Sequence, residues 1–156
     1  MTKLSSLFQL LRLQQWYKNL LVFAGAVFAL KLLDFVLWPS MLLGFLILCL
    51  ISGANYIVND IIDIERDRIH PEKKNRPLAS GAVSVNKAVA FCVFAAALSF
   101  YSALQLSLGF FLTTLALFLT NLLYTFILKN VVFVDVLTIS VDYVWRALAG
   151  CYLISV

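Results

Sequence analysis

Long stretches without a charged side chain constrain this sequence more than any other feature. Residues 88–128 form 41 consecutive residues without Asp, Glu, Lys or Arg, and residues 35–59 form another 25. A helix needs about 20 apolar residues to cross the hydrocarbon core of a bilayer, so the longer stretch can hold two spans. The sequence therefore predicts a membrane protein in which two spans form a hairpin, bent near its most polar point at 105–109.

The composition agrees with a membrane protein and excludes the main soluble classes. Hydrophobic residues make up 63% of the 156 residues, charged residues make up 13%, and the mean hydropathy is +0.96. Soluble domains are about 45–50% apolar and about 25% charged, and small ones bury only about 70% of the surface of the open chain. We therefore exclude a soluble enzyme, a disordered tail and a nucleic-acid-binding domain.

The predicted fold class is all-α: a polytopic transmembrane bundle of about five helices that forms a single membrane domain over residues 1–156. The predicted helices are 18–33, 37–67, 84–104, 108–128 and 131–156. We expect the second helix to extend beyond the bilayer at its C-terminal end, where charged residues follow the apolar stretch. The sequence ends in apolar residues, and we expect it to be the N-terminal part of a longer protein.

The distribution of Lys and Arg predicts the orientation in the membrane. Three basic residues lie before or at the start of the first predicted span and six lie within residues 60–87, whereas the opposite turns carry only Lys31. Basic residues are enriched in cytoplasmic loops. We therefore expect an integral protein of a bacterial inner (plasma) membrane, with the N-terminus and the 60–87 loop in the cytoplasm.

Polar side chains gather on one face where the second predicted helix leaves the membrane. At 100° per residue, seven of them fall within an arc of about 140°: Asn55, Tyr56, Asn59, Asp60, Asp63, Arg66 and Asp67. Three carboxylates and an amide oxygen are ligands of the kind that Mg²⁺ takes, and Mg²⁺ usually shares its shell with substrate phosphates. The alternative is a solvated cap on the loop, in which the acids pair with Arg66 and Arg68.

The loop that follows the acidic face is basic and carries two prolines. Its cations are Arg68, Lys73, Lys74 and Arg76. Arg and Lys suit phosphate oxygens, but such residues also hold a loop on the inner side of the membrane and contact anionic headgroups. Beside the acidic face, the loop favours a metal-bridged polyphosphate that the acids bind through Mg²⁺ and the bases bind directly.

Further polar residues interrupt the later spans. Asp135, Asp142 and Arg146 lie on one stripe of the last predicted helix, and the latter two are one turn apart and can pair. Intramembrane charges usually face a cavity or a partner, so the stripe is either an ion pair that fixes helix packing or a substrate contact. Tyr124 and Lys129 lie at the cytoplasmic end of the fourth span, where they can reach a phosphate, although a lone Lys is also a common anchor.

Three stretches together carry a resemblance to a known family. The residues Asn59-Asp60-x-x-Asp63-x-x-x-Asp67-Arg68-x-His70-Pro71-x-Lys73-x-x-Arg76-Pro77-x-Ala79-Ser80-Gly81 resemble the first aspartate-rich motif of the UbiA prenyltransferase superfamily, and most closely its decaprenyl-phosphate phosphoribosyltransferase branch. Arg12-x-x-Gln15-Trp16-x-Lys18-Asn19 is similar to the family's N-terminal segment, with Leu13 where a Pro is common. Tyr124-x-x-x-Leu128-Lys129, with Asp135 and Tyr143-x-x-Arg146-x-x-Ala149-Gly150, is similar to the region of the fifth helix.

The resemblance implies a nine-helix membrane enzyme, of which this chain is the N-terminal half. It implies Mg²⁺ held against a diphosphate by Asn59, Asp60, Asp63 and Asp67, and we take Asp60 and Asp63 as candidate catalytic residues. The candidate substrate-binding residues are Lys18, Arg66, Lys73, Arg76, Tyr124, Lys129 and Arg146. The implied partners are membrane lipids, a polyprenyl lipid substrate and a diphosphate donor. A second chain that completes the helix bundle is a further implied partner.

The leading hypothesis is thus a Mg²⁺-dependent transferase that moves a phosphoribosyl or prenyl group from a diphosphate donor to or from a polyprenyl-linked substrate. The first alternative is a non-catalytic membrane protein, either truncated or an assembly partner, because the family's second polar motif lies on a later helix. The second alternative is a small ion or solute carrier that uses the intramembrane Asp142.

Overall fold

The computed structural model describes residues 3–131 and 133–155, which form helices joined by short turns. The α-helices are α1 (Lys3–Leu10), α2 (Ala24–Phe28), α3 (Trp38–Ile62), α4 (Ile64–Ile69), α5 (Val85–Leu106), α6 (Leu108–Phe126) and α7 (Val134–Leu153). Three 3-10 helices, Leu13–Phe23, Lys73–Asn75 and Leu128–Asn130, lie between them. The described residues thus confirm the predicted all-α class.

Within residues 3–131 and 133–155, three helices are long and apolar enough to cross a membrane, namely α3, α5 and α6. The helix α7 has 20 residues, which is also about the length of a span, but it carries three charged residues. These lengths support the predicted membrane bundle. The structure also confirms the predicted hairpin, because α5 and α6 pack against each other and are joined at Ser107. The backbone of Ser107 is extended (φ −166°, ψ 155°), and its hydroxyl accepts a hydrogen bond from the amide of Phe110, which caps α6.

The first predicted span differs from the structure. Instead of one α-helix over 18–33, residues 13–23 form an 11-residue 3-10 helix that continues into the short α2, and the chain turns at Leu30 with a positive φ of 56°. A 3-10 helix rises about 2.0 Å per residue and an α-helix about 1.5 Å, so the two helices together extend about 30 Å.

The other predicted helices lie close to their expected positions. The second, predicted over 37–67, is divided at Asp63 (φ −91°, ψ 6°), although the amide of Asp63 still donates to the carbonyl of Asn59. The third and fourth differ from their predicted bounds by at most two residues. The fifth, predicted over 131–156, corresponds to α7, and positions 132 and 156 lie outside the described residues.

Close packing of α7 brings its polar side chains to the centre of the bundle. The helix packs on α6 and on the segment 13–28, and α3 packs on α5, α6 and the same segment. A Cβ at Gly150 would overlap the main-chain carbonyl of Val22, and a Cβ at Gly25 would lie 3.0 Å from the sulfur of Cys151. Small residues allow this kind of close backbone approach in membrane bundles.

Candidate functional site

The acidic face at the end of α3 is neutralised by cationic side chains from distant parts of the chain. The carboxylate of Asp60 is buried, and its Oδ1 accepts hydrogen bonds from Arg12 and, at 3.1 Å, from Arg76. The same nitrogen of Arg76 donates to Oδ2 of Asp67 at 2.7 Å. Asp60 and Asp67 therefore converge on one guanidinium, and Arg12 closes the cluster from the N-terminal segment.

Asp63 forms a separate ion pair on the same face. Its Oδ1 lies 2.7 Å from Nζ of Lys129, which follows α6, and both side chains are mostly buried. Arg66 lies one turn further along α4, at 4.0 Å from the same oxygen, and its side chain is mostly exposed. An exposed pair at this distance contributes little to stability. The carboxylate of Asp63 is thus held mainly by Lys129.

The fit of this face to a divalent cation can be judged from its donors. Among the residues that the structure describes, no three His, Cys, Asp or Glu side chains come close enough together to hold a metal ion. The carboxylates of Asp60 and Asp67 nevertheless meet at one positive group, and Asp63 holds another. Carboxylates are hard oxygen donors of the kind that Mg²⁺ takes, together with water and phosphate oxygens. In this structure their oxygens bind Arg and Lys side chains, so a Mg²⁺ ion would have to replace those cations. The ligand assignment therefore stays a prediction.

The structure brings most of the other predicted residues to a second polar region. A cavity of about 190 Å³ lies inside the bundle between the segment 13–28, α3, α6 and α7. Its lining combines charged and amide side chains with aromatic rings and one aliphatic side chain: Lys18, Tyr56, Asn121, Tyr124, Thr138, Ile139, Asp142, Tyr143 and Arg146. We call this space the inner cavity. The predicted Lys73, by contrast, lies exposed in the 60–87 loop.

The pairing predicted between Asp142 and Arg146 is not among the ion pairs of the described residues. Asp142 instead accepts a hydrogen bond from the amide of Asn121 at 2.9 Å. Nε of Arg146 donates to Oδ1 of Asn19 at 2.8 Å. Both charged side chains are buried. The tertiary structure supplies neutral amide partners from α6 and the first segment, and these replace the one-turn contact along α7.

Several residues of the site were missed as site candidates, and Arg12 and Asn19 are two of them. Arg12 pairs with Asp60 and lies over the ring of Tyr56, 5.0 Å from its centroid, and its backbone is left-handed with φ 47°. Asn19 is 1% exposed and binds Arg146. Both stood within the motif that resembles the family's N-terminal segment. Their partners lie 48 and 127 residues away, which sequence spacing could not indicate.

Asn55 lies on α3 one turn before Asn59, and its side chain allows a test of how a buried polar group affects the stability of the chain. Its side chain is buried, and both Oδ1 and Nδ2 are without a hydrogen-bond partner among the described residues. A buried polar group without partners costs about 1–3 kcal/mol. Asn55→Leu is therefore expected to raise the free energy of unfolding by about 1 kcal/mol, measured by thermal unfolding in detergent. A lower midpoint than that of the unaltered chain would contradict this reading, and Ser99→Ala, whose hydroxyl bonds within its own helix, is the control.

These features define a helical membrane protein with a cluster of carboxylates and cations at the end of one span and a polar cavity beside it. The chain belongs to the UbiA prenyltransferase family, whose family model matches residues 20–156. It is 34% identical over 144 residues to decaprenyl-phosphate phosphoribosyltransferase of Mycobacterium tuberculosis. This alignment covers 90% of this chain and 48% of the relative.

Two solved structures show the same fold. One is a structure concerning digeranylgeranylglyceryl phosphate synthase, with a TM-score of 0.83 and 22% identity. The match covers 98% of this chain and 54% of the chain in that structure. A UbiA homologue from Archaeoglobus fulgidus bound to DMAPP and Mg²⁺ matches 97% and 55%, with a TM-score of 0.81 and 23% identity. The chain thus spans about half the length of these relatives.

Proposed function

We propose that this chain forms the diphosphate-binding part of a Mg²⁺-dependent membrane transferase that acts on a polyprenyl-linked substrate. The observation that supports this is the charge arrangement at the end of α3, where Asp60, Asp63 and Asp67 each hold a cationic side chain. When Mg²⁺ binds, it would replace the Arg and Lys side chains on these carboxylates, and the released cations would then suit the phosphate oxygens. The same face would in this way bind both the metal ion and the diphosphate.

The proposed roles follow from this chemistry and from the family. Asn59, Asp60, Asp63 and Asp67 would hold the metal ion, which supplies charge stabilisation for a departing diphosphate when bound. Asp60 and Asp63 are the proposed catalytic residues, because they would hold this metal ion. The proposed phosphate contacts are Lys18, Arg66, Lys73, Arg76, Tyr124, Lys129 and Arg146. Of these, Lys129 and Arg76 already lie within hydrogen-bond distance of the acids.

The transferred group is proposed as phosphoribosyl or prenyl. The relative from M. tuberculosis is named as a phosphoribosyltransferase that acts on decaprenyl phosphate, and the A. fulgidus homologue binds the prenyl diphosphate DMAPP with Mg²⁺. The positive-inside rule supports a cytoplasmic position for the acidic face and the 60–87 loop, in a bacterial inner membrane. A water-soluble donor would then reach the face from the cytoplasm, and a lipid substrate would reach it from the bilayer.

Binding of inorganic pyrophosphate by the chain in lipid nanodiscs tests this proposal. We expect binding with Mg²⁺ and at least about tenfold weaker binding in EDTA, because the acids repel a bare diphosphate. Asp63→Asn is expected to weaken the Mg²⁺-dependent affinity by at least about tenfold, since it removes a charge and leaves a similar shape.

Glu65→Gln is the matched control, because Glu65 is exposed on α4 and pairs only with the exposed Arg68 among the described residues. It is expected to bind pyrophosphate like the unaltered chain. Equal affinity with and without Mg²⁺, or no effect of Asp63→Asn, would contradict the metal assignment. A chain that binds no pyrophosphate under either condition would favour the non-catalytic alternative, and transport in vesicles that Asp142→Asn abolishes would favour a carrier.

A further inference from the structure

The turn between α2 and α3 exposes a dense group of apolar side chains. We define it as residues 28–37, from the last residue of α2 to the residue before α3. The exposed apolar side chains of α3, α5 and α6 have exposed fractions of 41–66%. In the turn this fraction is 75–92% for five side chains: Phe28, Leu30, Leu33, Phe35 and Val36. Large exposed apolar patches mark interaction sites, so the turn calls for an apolar partner.

The backbone of the turn is largely paired within the protein. Of the nine amides at positions 29–37, six donate hydrogen bonds to groups of residues 25–34: those at 29, 30, 31, 34, 36 and 37. The indole nitrogen of Trp38 donates to the carbonyl of Leu32 at 3.0 Å. Backbone groups inside a bilayer have to be paired within the protein, because no water reaches them there. A turn with this pairing loses few hydrogen bonds to water when it enters a membrane.

The two charged side chains of the turn also have partners within the protein. Nζ of Lys31 donates to the carbonyl of Ile154 at 3.3 Å, at the C-terminal end of α7. A cation is favourable at this end of a helix, because the last carbonyl groups carry partial negative charge. The carboxylate of Asp34 accepts a hydrogen bond from the amide of Val36 at 3.1 Å. Lys31, the basic residue that the sequence places in a turn opposite the cytoplasmic loops, thus binds the end of α7.

Leu30 and the residues that flank the turn indicate which partner covers it. The φ of Leu30 is 56°, in the left-handed region where Gly or Asn is usual, yet its side chain is 92% exposed. Packing within the described chain therefore does not offset this conformation, whereas contact with hydrocarbon would. Exposed apolar side chains also continue on both sides of the turn, at Val27 before it and at Leu42 and Leu43 after it. The surface is thus continuous with the lipid-facing sides of the bundle.

We propose that residues 28–37 lie within the membrane at the boundary between acyl chains and headgroups, where acyl chains cover their apolar side chains and Lys31 anchors the turn to α7. Interfacial segments bury apolar side chains in this way and keep their polar groups near the headgroups. Trp38, the first residue of α3, is of a type enriched at this depth. The exposed Asp34 would lie at the headgroup level. The surface is independent of the acidic face, the inner cavity and the proposed activity, because it lies at the opposite end of α3.

Collision rates of a nitroxide spin label test the depth of the turn, with the chain in phosphatidylcholine nanodiscs. Oxygen is apolar and concentrates in hydrocarbon, whereas a nickel chelate stays in water. The label is attached to Leu33→Cys or Val36→Cys, and the references are Arg68→Cys on the exposed side of α4 and Val93→Cys in the middle of α5. We expect a ratio of oxygen to nickel collisions at least about tenfold higher than at Arg68→Cys, because a polar chelate is excluded from hydrocarbon.

Each possible result decides the proposal. Rare nickel collisions at both positions of the turn, with oxygen collisions approaching those at Val93→Cys, would support contact with acyl chains. Frequent nickel collisions would place the turn in water and overturn it. Rare collisions with both reagents would mean that a second copy of the chain or another protein covers the turn, which would also overturn it. The variants carry Cys151→Ser, because the other two native cysteines are buried.

A second substitution tests the anchor. With the label at Val36→Cys, Lys31→Met is expected to raise the nickel collision rate about two- to fivefold, the size expected for loss of a cation at a helix C-terminus. Lys87→Met is the matched control, because Lys87 is exposed near the start of α5. It is expected to leave the rate unchanged. An unchanged rate in Lys31→Met would overturn the anchoring role, and thermal unfolding in detergent checks that both variants fold.

Discussion

Asp60→Ala will lower the free energy of unfolding by about 1–3 kcal/mol, because it removes the acceptor that two partly buried guanidinium groups share. The Asp60 side chain is 4% exposed and holds both Arg12 and Arg76, which come from the N-terminal segment and from the 60–87 loop. Its loss leaves two guanidinium groups with only Asp67 as a described carboxylate partner. The measurement is thermal or denaturant unfolding of the chain in detergent, followed by circular dichroism.

The control for Asp60→Ala is the exposed ion pair between Glu65 and Arg68 on α4. Glu65→Ala breaks the ion pair with Arg68, whose side chain is 52% exposed, and is expected to cost less than about 1 kcal/mol. Asp60→Asn retains an acceptor for Arg12 and is expected to fall between the two. Equal costs for the Asp60→Ala and Glu65→Ala variants would show that the buried cluster does not hold the loop to the bundle.

Gly150→Ala will have the other large effect. The added Cβ would overlap the carbonyl of Val22, and a main-chain atom inside a packed helix pair cannot turn away as a side chain can. Overpacking typically costs about 1–3 kcal/mol, and this contact belongs at the upper end of that range. We expect a sharp fall in the fraction of chain that stays monodisperse in detergent after heating.

Gly44→Ala is the matched control for Gly150→Ala, since both glycines are buried in long helices. The Cβ at Gly44 meets the terminal methyl of Leu153, which can rotate away. We expect a loss of less than half that of Gly150→Ala. The reverse order would mean that α7 does not approach the first segment as closely as the structure indicates. Such a result would also argue against the hydrogen bond between Arg146 and Asn19, because that bond needs the same close approach.

The sequence by itself predicted the long helices and their order well. Continuous apolar stretches of 25 and 41 residues admit few structures other than spans, and the bend at Ser107 lies where the stretch is most polar. Helical periodicity also predicted that the acids after Asn55 share one face, and Asp60 and Asp67 do meet at Arg76, whereas Asp63 pairs separately with Lys129. The 3-10 helix over 13–23 was not foreseen, since the 16 residues that it and α2 form together have no sequence signature distinct from an α-helix.

The charge partners were decided by the tertiary structure. Local spacing suggested that Asp142 would pair with Arg146 and that Arg66 would neutralise the acids, yet Asn121, Asn19, Lys129 and Arg76 take those positions. Helical periodicity in the sequence predicts which residues share a face. The partner of a buried charge depends instead on which residues of other helices pack against that face. Apolar length and periodicity therefore determined the spans and the acidic face, whereas close packing between helices far apart in the chain determined which groups the charges meet.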